Sequence, residues 1–451
     1  MRQSLRPLAV LVAVLALALL AAPALAAPAP PTQEGVSIFV GPNVDADTRR
    51  NITQRLVRGI SPEQLGLSRA TGRAASPPRS VADLRQRALR SRATYRVDAQ
   101  ASADALTAAA YDPITYEECW ANGDKSGTVT GWIKHRFAFC RINTFYYQRW
   151  RINSNGTTTI VGHMTWNQTE LGTGSNGQRA VTFQYRLDNF IVHLGSSSIL
   201  DITLVLHTEC LDSTGTPSAA CQTQDLGTTR RPRLWRTNGW STPQTFTSDP
   251  ATGVGIEQLT PASFRPRYYA TDSWWRGTAT WTGDSQDLRF DSADYIRNPD
   301  RPGGGLFPRT TPHIVYHLTG QGVDAVARHI DDAQHRPELT FPQFPGKTVP
   351  GELGGEPLSR LYWDTQRQDA NHAAAVATCN ESFPGQYPAP DIDCDEYPFR
   401  STYEGAALGN NRYSARPLDS SQNRAAGGFL VGFYNNDRIL DADLFWVKIE
   451  P

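Results

Sequence analysis

The chain has 451 residues, with 44 basic and 44 acidic side chains, so its formal net charge is zero. That length supports two or three domains, each with its own core, and past the N-terminus no segment is apolar for long enough to span a bilayer. The neutral total hides an asymmetry. From Ala27 to about Gln100 arginines are about twice as numerous as acids, whereas from Glu356 onward acids outnumber bases by about six. Such a split implies parts of the chain that face each other or face different partners.

Arg2 and Arg6 precede an unbroken apolar stretch from Leu8 to about Ala22, and Ala24-Leu25-Ala26 supplies the small residues that a signal peptidase reads. Residues 1–26 are therefore read as a secretory signal peptide, and the protein as secreted. Residues 27–109 are rich in Ala, Arg, Pro and Ser and lack Cys and Trp. Asn51 to Gly59 and Ser80 to Arg92 look helical, but apolar residues are too few for a strong core. The expectation is a pro-segment or flexible arm.

Residues 110–297 are richer in aromatic residues. Ile202, Leu204 and Leu206 alternate with Asp201, Thr203 and Val205, and Arg136 to Tyr147, Thr157 to Trp166, Val181 to Leu187, Asn189 to Leu194 and Gly277 to Phe290 also read as strands. Period-two alternation with regular turn signals predicts an all-β, sandwich-like domain. Six cysteines fall into sequence-local pairs, Cys119/Cys140, Cys210/Cys221 and Cys379/Cys394. An even count in an exported chain reads as disulfides, and the local connectivity is the simplest of those open. The aromatic wealth of this region, Trp274-Trp275 included, reads first as core and second as a sugar- or base-stacking surface. The ligand of the domain is unspecified.

Residues 298–354 are read as a linker region. Asn298 to Pro312 carries too much Pro and Gly for regular structure. A strand (His313 to Leu318) and a helix (Val323 to Gln334) follow, then a second Pro/Gly-rich stretch. His313 and His317 have the spacing of a helical metal pair. On a strand, however, they stand about 13 Å apart, too far to share an ion. Gly303-Gly304-Gly305 lacks the helix and the Lys of a phosphate-cradling loop. In residues 355–451 Asp364 is a plausible cap for a helix to about Thr378, and Arg412 to Arg416 is a short strand. Asp419 and Ser420 cap a second helix ending near Asn435-Asn436, and Leu444 to Ile449 is a closing strand.

Two clusters in this last unit carry chemistry. Asp391, Asp393, Asp395 and Glu396 crowd a turn at Cys394, with Glu404 close behind. Like charges so close need a cation or hydrogen bonds to offset their repulsion, and oxygen-rich sites suit Mg²⁺, Mn²⁺ or Ca²⁺. On composition alone a solvated acidic loop or structural calcium site is the simpler reading. The second cluster runs from Asp419 to Gly428. There the Asn423 amide oxygen suits a hard metal, the Arg424 guanidinium suits a phosphate, and Gly427 and Gly428 allow close approach. Alone it reads as a capped helix.

Taken in order, Cys394-Asp395-Glu396-Tyr397-Pro398-Phe399, Tyr403-Glu404-Gly405 and Asn423-Arg424-Ala425-Ala426-Gly427-Gly428 resemble the NucA/NucB-type deoxyribonucleases, which are secreted bacterial enzymes. Phe433-Tyr434, Arg438-Ile439 and residues 441–447 resemble that family's closing strand. The resemblance covers about residues 355–451. It implies a small α+β domain similar to the ββα-metal nucleases, with Asp in place of the usual His base. By the same resemblance Asp395 is the general base and Asn423 a metal ligand, with Asp395 and Glu396 beside the metal. Glu396 and Glu404 position the metal, its waters or the loop, and Arg424 contacts phosphate. The implied cofactor is Mg²⁺ or Mn²⁺, with Ca²⁺ the alternative, and the implied substrate is DNA. Arg400, Ala406 and Ala425 depart from the family pattern at loop positions rather than at the presumed ligands.

The reading that follows is a secreted, metal-dependent DNA endonuclease with little sequence specificity. Its rivals are a cell-surface or carbohydrate-binding β protein with a degenerate nuclease tail, and an exported antibacterial DNase toxin. Arg412, Arg416, Arg424 and Arg438 are expected to gather on one face and offset the acidity of the unit. The basic arm, 27–109, is expected to dock on the acidic unit and restrain it, so that deleting the arm raises activity.

Overall fold

The computed structural model describes residues 33–69, 76–104, 111–128, 130–225, 227–296 and 302–451. The expected signal peptide, 1–26, lies outside the described residues. Two bodies make up the fold, a large β-rich one and a small C-terminal α/β one.

Three long strands, Ala138–Ile152, Thr158–Gly177 and Ala180–Leu194, run as successive antiparallel neighbours. Their alternation sends Phe145, Tyr147, Trp166 and Phe183 to one face. Thr203–Leu211, Thr260–Asp272 and Gln286–Asp291 form the opposing half and send Leu204, Leu206, Phe264, Tyr268 and Leu288 to meet them. Ring centroids of Phe145 and Tyr268 lie 4.6 Å apart, and those of Phe183 and Phe264 lie 4.1 Å apart. All these strands belong to one 13-stranded sheet folded over its own core. Each large side chain buried there contributes roughly 1.5–3 kcal/mol. All six cysteines are paired, Cys119–Cys140, Cys210–Cys221 and Cys379–Cys394.

The segment expected to be a flexible arm is woven into both bodies. Gln33–Pro42 pairs antiparallel along Ala138–Ile152, and its Ile38 and Val40 enter the core of the β-rich body. The short β-branched run Val36 to Val40 forms this strand despite the Arg- and Pro-rich composition around it. Thr94–Asp98 pairs in parallel with Thr311–His317, which pairs in parallel with Leu444–Glu450; Leu358–Ser359 completes a four-stranded sheet. Chain segments more than two hundred residues apart therefore share one sheet. The Tyr95 hydroxyl donates to Asp437 Oδ1 (2.5 Å), Asn436 Nδ2 donates to the Ser102 carbonyl (2.7 Å), and Arg85 donates to the Asp441 carbonyl (2.6 Å).

The expected linker is also structured. Gly303–Leu306 is a strand between Gln286–Asp291 and the end of Thr158–Gly177. Glycine makes this approach feasible: a Cβ on Gly304 would lie 1.9 Å from Arg438 Nε, and one on Gly305 would lie 2.3 Å from the Ala180 oxygen. Strand Thr311–His317 and helix Asp324–His335 do not link domains; they complete the C-terminal core. Ile314, Tyr316, Val326 and Ile330 pack there with Tyr397, Leu430, Phe433 and Val447. His313 and His317 have separate partners, Thr94 Oγ1 at 2.7 Å and Asp98 Oδ2 at 3.2 Å.

Candidate active site

Strand Ile392–Tyr397 pairs antiparallel with Ser414–Asp419, placing Asp395 opposite Arg416. Helix Ser420–Asn436 starts where the second strand ends. Asp419 Oδ1 caps it by accepting from the N–H groups of Ser421 (3.0 Å) and Gln422 (3.1 Å), an arrangement worth about 1 kcal/mol. Helix Thr365–Ser382 is capped by Asp364, which accepts from the Arg367 N–H at 2.8 Å. The Cys379–Cys394 disulfide ties that helix to the first strand. With helix Asp324–His335, these elements enclose a cavity of about 720 Å³ whose walls include Asp393, Asp395, Glu396, Asn423, His372 and Gly427.

Asp395 is 7% exposed, and its Oδ2 lies 2.6 Å from His329 Nδ1. No protein donor reaches its Oδ1 among the described residues. His329 is fully buried, and its Nε2 lies 2.6 Å from Ser414 Oγ. The Glu396 side chain is 12% exposed and has His372 Nδ1 4.0 Å away. Burial, and then the neighbouring Asp395 charge, push its carboxyl up to about 8 against the partial relief given by Arg400. Asn423 is half-buried on the first turn of its helix and faces the same cavity. Arg424 is 75% exposed, with its Nε 3.2 Å from Asp393 Oδ2 on the cavity wall.

Glu404 does not line the cavity. Its carboxylate accepts from the Ser359 N–H (2.9 Å) and the Ser359 hydroxyl (2.6 Å). Next to it, a Cβ on Gly405 would lie 2.3 Å from Asn371 Nδ2. Asn371 is fully buried. It donates to the Arg400 and Thr402 carbonyls and accepts from the Ala407 N–H. Glu404-Gly405 thus braces the loop that carries Arg400. The departures from the family pattern fit their surroundings. Ala406 packs with Ala375, Cys379 and Cys394, Ala425 is exposed on its helix, and Arg400 pairs with Asp369 at 2.6 Å.

The four arginines expected on one face are dispersed. Arg412 pairs with Glu356, Arg416 with Asp332, and Arg438 is buried against Asp291 of the β body. Of the four, Arg424 alone pairs with a residue of the cavity wall. Local acids capture arginine side chains more readily than a distant ligand can. Two histidines of the site, His372 on the cavity wall and His329 buried behind Asp395, are not singled out by sequence motifs. His329 sits within the buried stripe Val326, Ala327, Ile330 and Ala333, where an isolated His reads as core.

Among the described residues, no three His, Cys, Asp or Glu side chains converge on one ion position. Among the oxygen donors in the cavity wall are the side chains of Asp393, Asp395, Glu396 and Asn423.

Residues 359–448 match the family Deoxyribonuclease NucA/NucB. The C-terminal α/β region therefore carries a nuclease domain of the family its motifs resemble. Asp395, Glu396, Glu404, Asn423 and Arg424 fall inside the match, and His329 precedes it. Among curated proteins none matches the chain.

Proposed function

We propose that the protein is a secreted endonuclease that hydrolyses DNA phosphodiester bonds with the help of a divalent metal and with little sequence preference. One observation carries the reading: Asp395, Glu396 and Asn423 share a single cavity inside the segment that matches the deoxyribonuclease family. The order strand, strand, helix over Ile392–Tyr397, Ser414–Asp419 and Ser420–Asn436 is that of a ββα-metal unit, which supports the same assignment.

Phosphodiester hydrolysis needs an activated water and stabilisation of charge on the phosphorus oxygens and the leaving oxygen. Asp395 offers Oδ1 to the cavity as acceptor for the water's proton. Asn423 and Glu396 would hold the metal, with Asp395 alongside. So few protein oxygens suit an ion that keeps several waters, as Mg²⁺ and Mn²⁺ do, rather than a six- to eight-oxygen calcium cage. When bound, the ion neutralises phosphate charge and acidifies water. Arg424 exchanges Asp393 for a phosphate oxygen. Gly427, with no atom near its missing Cβ, leaves room for the strand. These groups suit the sugar-phosphate backbone and not base edges, hence the weak sequence preference.

Three disulfides fit an oxidising compartment. No helix among the described residues is long and apolar enough to cross a membrane. The arm docks on the nuclease unit through Thr94–Asp98 and Ala99–Asp104, and none of its described residues lines the cavity. We therefore assign it a supporting rather than an occluding part.

Digestion of plasmid DNA by the full chain with Mg²⁺, Mn²⁺ or EDTA, beside Asn423→Ala, tests the metal. Cutting is expected with metal only, and about 100-fold weaker in the variant. Undiminished cutting in EDTA contradicts the mechanism.

A further inference from the structure

We propose that His329 is a positioning residue for Asp395, and that the catalytic unit of this chain therefore begins upstream of the segment that matches the family. The inference rests on the reading of Asp395 as the base. It concerns a residue on helix Asp324–His335 that lies outside residues 359–448.

A carboxylate only accepts hydrogen bonds, so His329 Nδ1–H donates to Asp395 Oδ2 across 2.6 Å. The other ring nitrogen meets Ser414 Oγ at 2.6 Å. Ser414 lies on the strand paired with that of Asp395. The imidazole thus bridges both strands of the hairpin, and both of its nitrogens are engaged. One carboxylate oxygen is held and the other is left for the cavity.

The helix that presents His329 is itself fixed at several points. The Ala325 N–H donates to Gln422 Oε1 (2.9 Å), on the helix that carries Asn423. Gln334 Nε2 donates to the Tyr397 hydroxyl (2.7 Å), at the end of the Asp395 strand. Asp332 pairs with Arg416 (2.8 Å). Base and metal donor are therefore registered against one helix. A carboxylate that acts on a water needs its orientation held to a fraction of an ångström. Groups in this supporting place typically change rate by about 10- to 100-fold when removed.

The test uses the full chain and steady-state DNA cleavage with Mg²⁺ or Mn²⁺, with thermal unfolding measured in parallel. Asn places its side-chain N–H near the position of Nδ1, and Gln places a polar group near that of Nε2. His329→Asn keeps the bond to Asp395; His329→Gln keeps only the contact to Ser414. The expected kcat falls about 10- to 100-fold in His329→Gln and by much less in His329→Asn, with KM nearly unchanged in both. Equal kcat in the two variants, or a loss that follows their unfolding temperatures, overturns the proposal, because a merely structural histidine gives that pattern. Loss of cutting in Asp395→Asn with full cutting in His329→Gln overturns this proposal alone. Full cutting in Asp395→Asn, or no cutting by the unmodified chain, overturns the reading of Asp395 and the proposal with it.

Discussion

Arg438 Nε lies 2.8 Å from Asp291 Oδ1 and 3.0 Å from Oδ2, and both side chains are buried where the β-rich body meets the nuclease unit. Around them Arg136 and Arg289 converge on Asp443, whose carboxyl they hold well below its usual range against the cost of burial. The seam between the two bodies is therefore a buried ionic network. Asp291→Ala would strand the Arg438 charge, at a cost of about 3–5 kcal/mol. Urea unfolding measures this. A loss under about 1 kcal/mol would show that the seam is not held as described.

Gly427 lines the cavity, and nothing lies within 4 Å of the Cβ it lacks. In a helix, Gly→Ala stabilises by roughly 0.5–1 kcal/mol. Gly427→Ala should therefore raise the unfolding temperature and at the same time raise KM for DNA, since the new methyl enters the substrate's space. An unchanged KM would place the DNA elsewhere.

Asp437 is fully buried, with the hydroxyls of Tyr95 and Tyr111 each donating to Oδ1 at 2.5 Å. Burial pushes its carboxyl up from 3.8 to about 6, against the lowering by those hydroxyls and by Arg136. A raised folded value means that the native state holds a proton the unfolded chain has already released. Its contribution to stability is full below about pH 4 and is lost as pH rises through about 6. Two units correspond to about 3 kcal/mol at most. Asn keeps an oxygen for both tyrosines and removes the charge. The stability difference between wild type and Asp437→Asn should therefore shift in favour of the variant between about pH 4 and pH 7. A constant difference across that range contradicts the assignment.

The arm supplies an edge strand to the nuclease sheet and the Tyr95 bond to Asp437. Charge alone suggests that removing it frees the domain; the pairing predicts the opposite. Deleting residues 33–104 should lower the unfolding temperature and give no gain in cleavage at low salt. Faster cutting at an unchanged unfolding temperature would restore the restraining role.

What the sequence reveals and what it hides divide along range. Asp364 and Asp419 announce their helices because a cap is a local interaction. Leu204 and Leu206 announce a strand face for the same reason, although the strand starts at Thr203, one residue past Ile202. The nuclease motifs sit on a hairpin and the helix that follows it, close enough in sequence to be recognised together. Nothing local tells Thr94–Asp98 that its partner is Thr311–His317. The Gly303-Gly304-Gly305 run looks irregular until Arg438 is seen crossing it. His329 looks like a core histidine because its two partners lie 66 and 85 residues away.

The central claim, that this cavity hydrolyses DNA with Asp395 as base, is tested most directly by the cleavage rate of plasmid DNA with Mn²⁺ or Mg²⁺, wild type against Asp395→Asn. Asn has the size of Asp but cannot take a proton from water. The account predicts a fall of about 100-fold or more, with the fold intact by circular dichroism. Equal rates in the two proteins would contradict it.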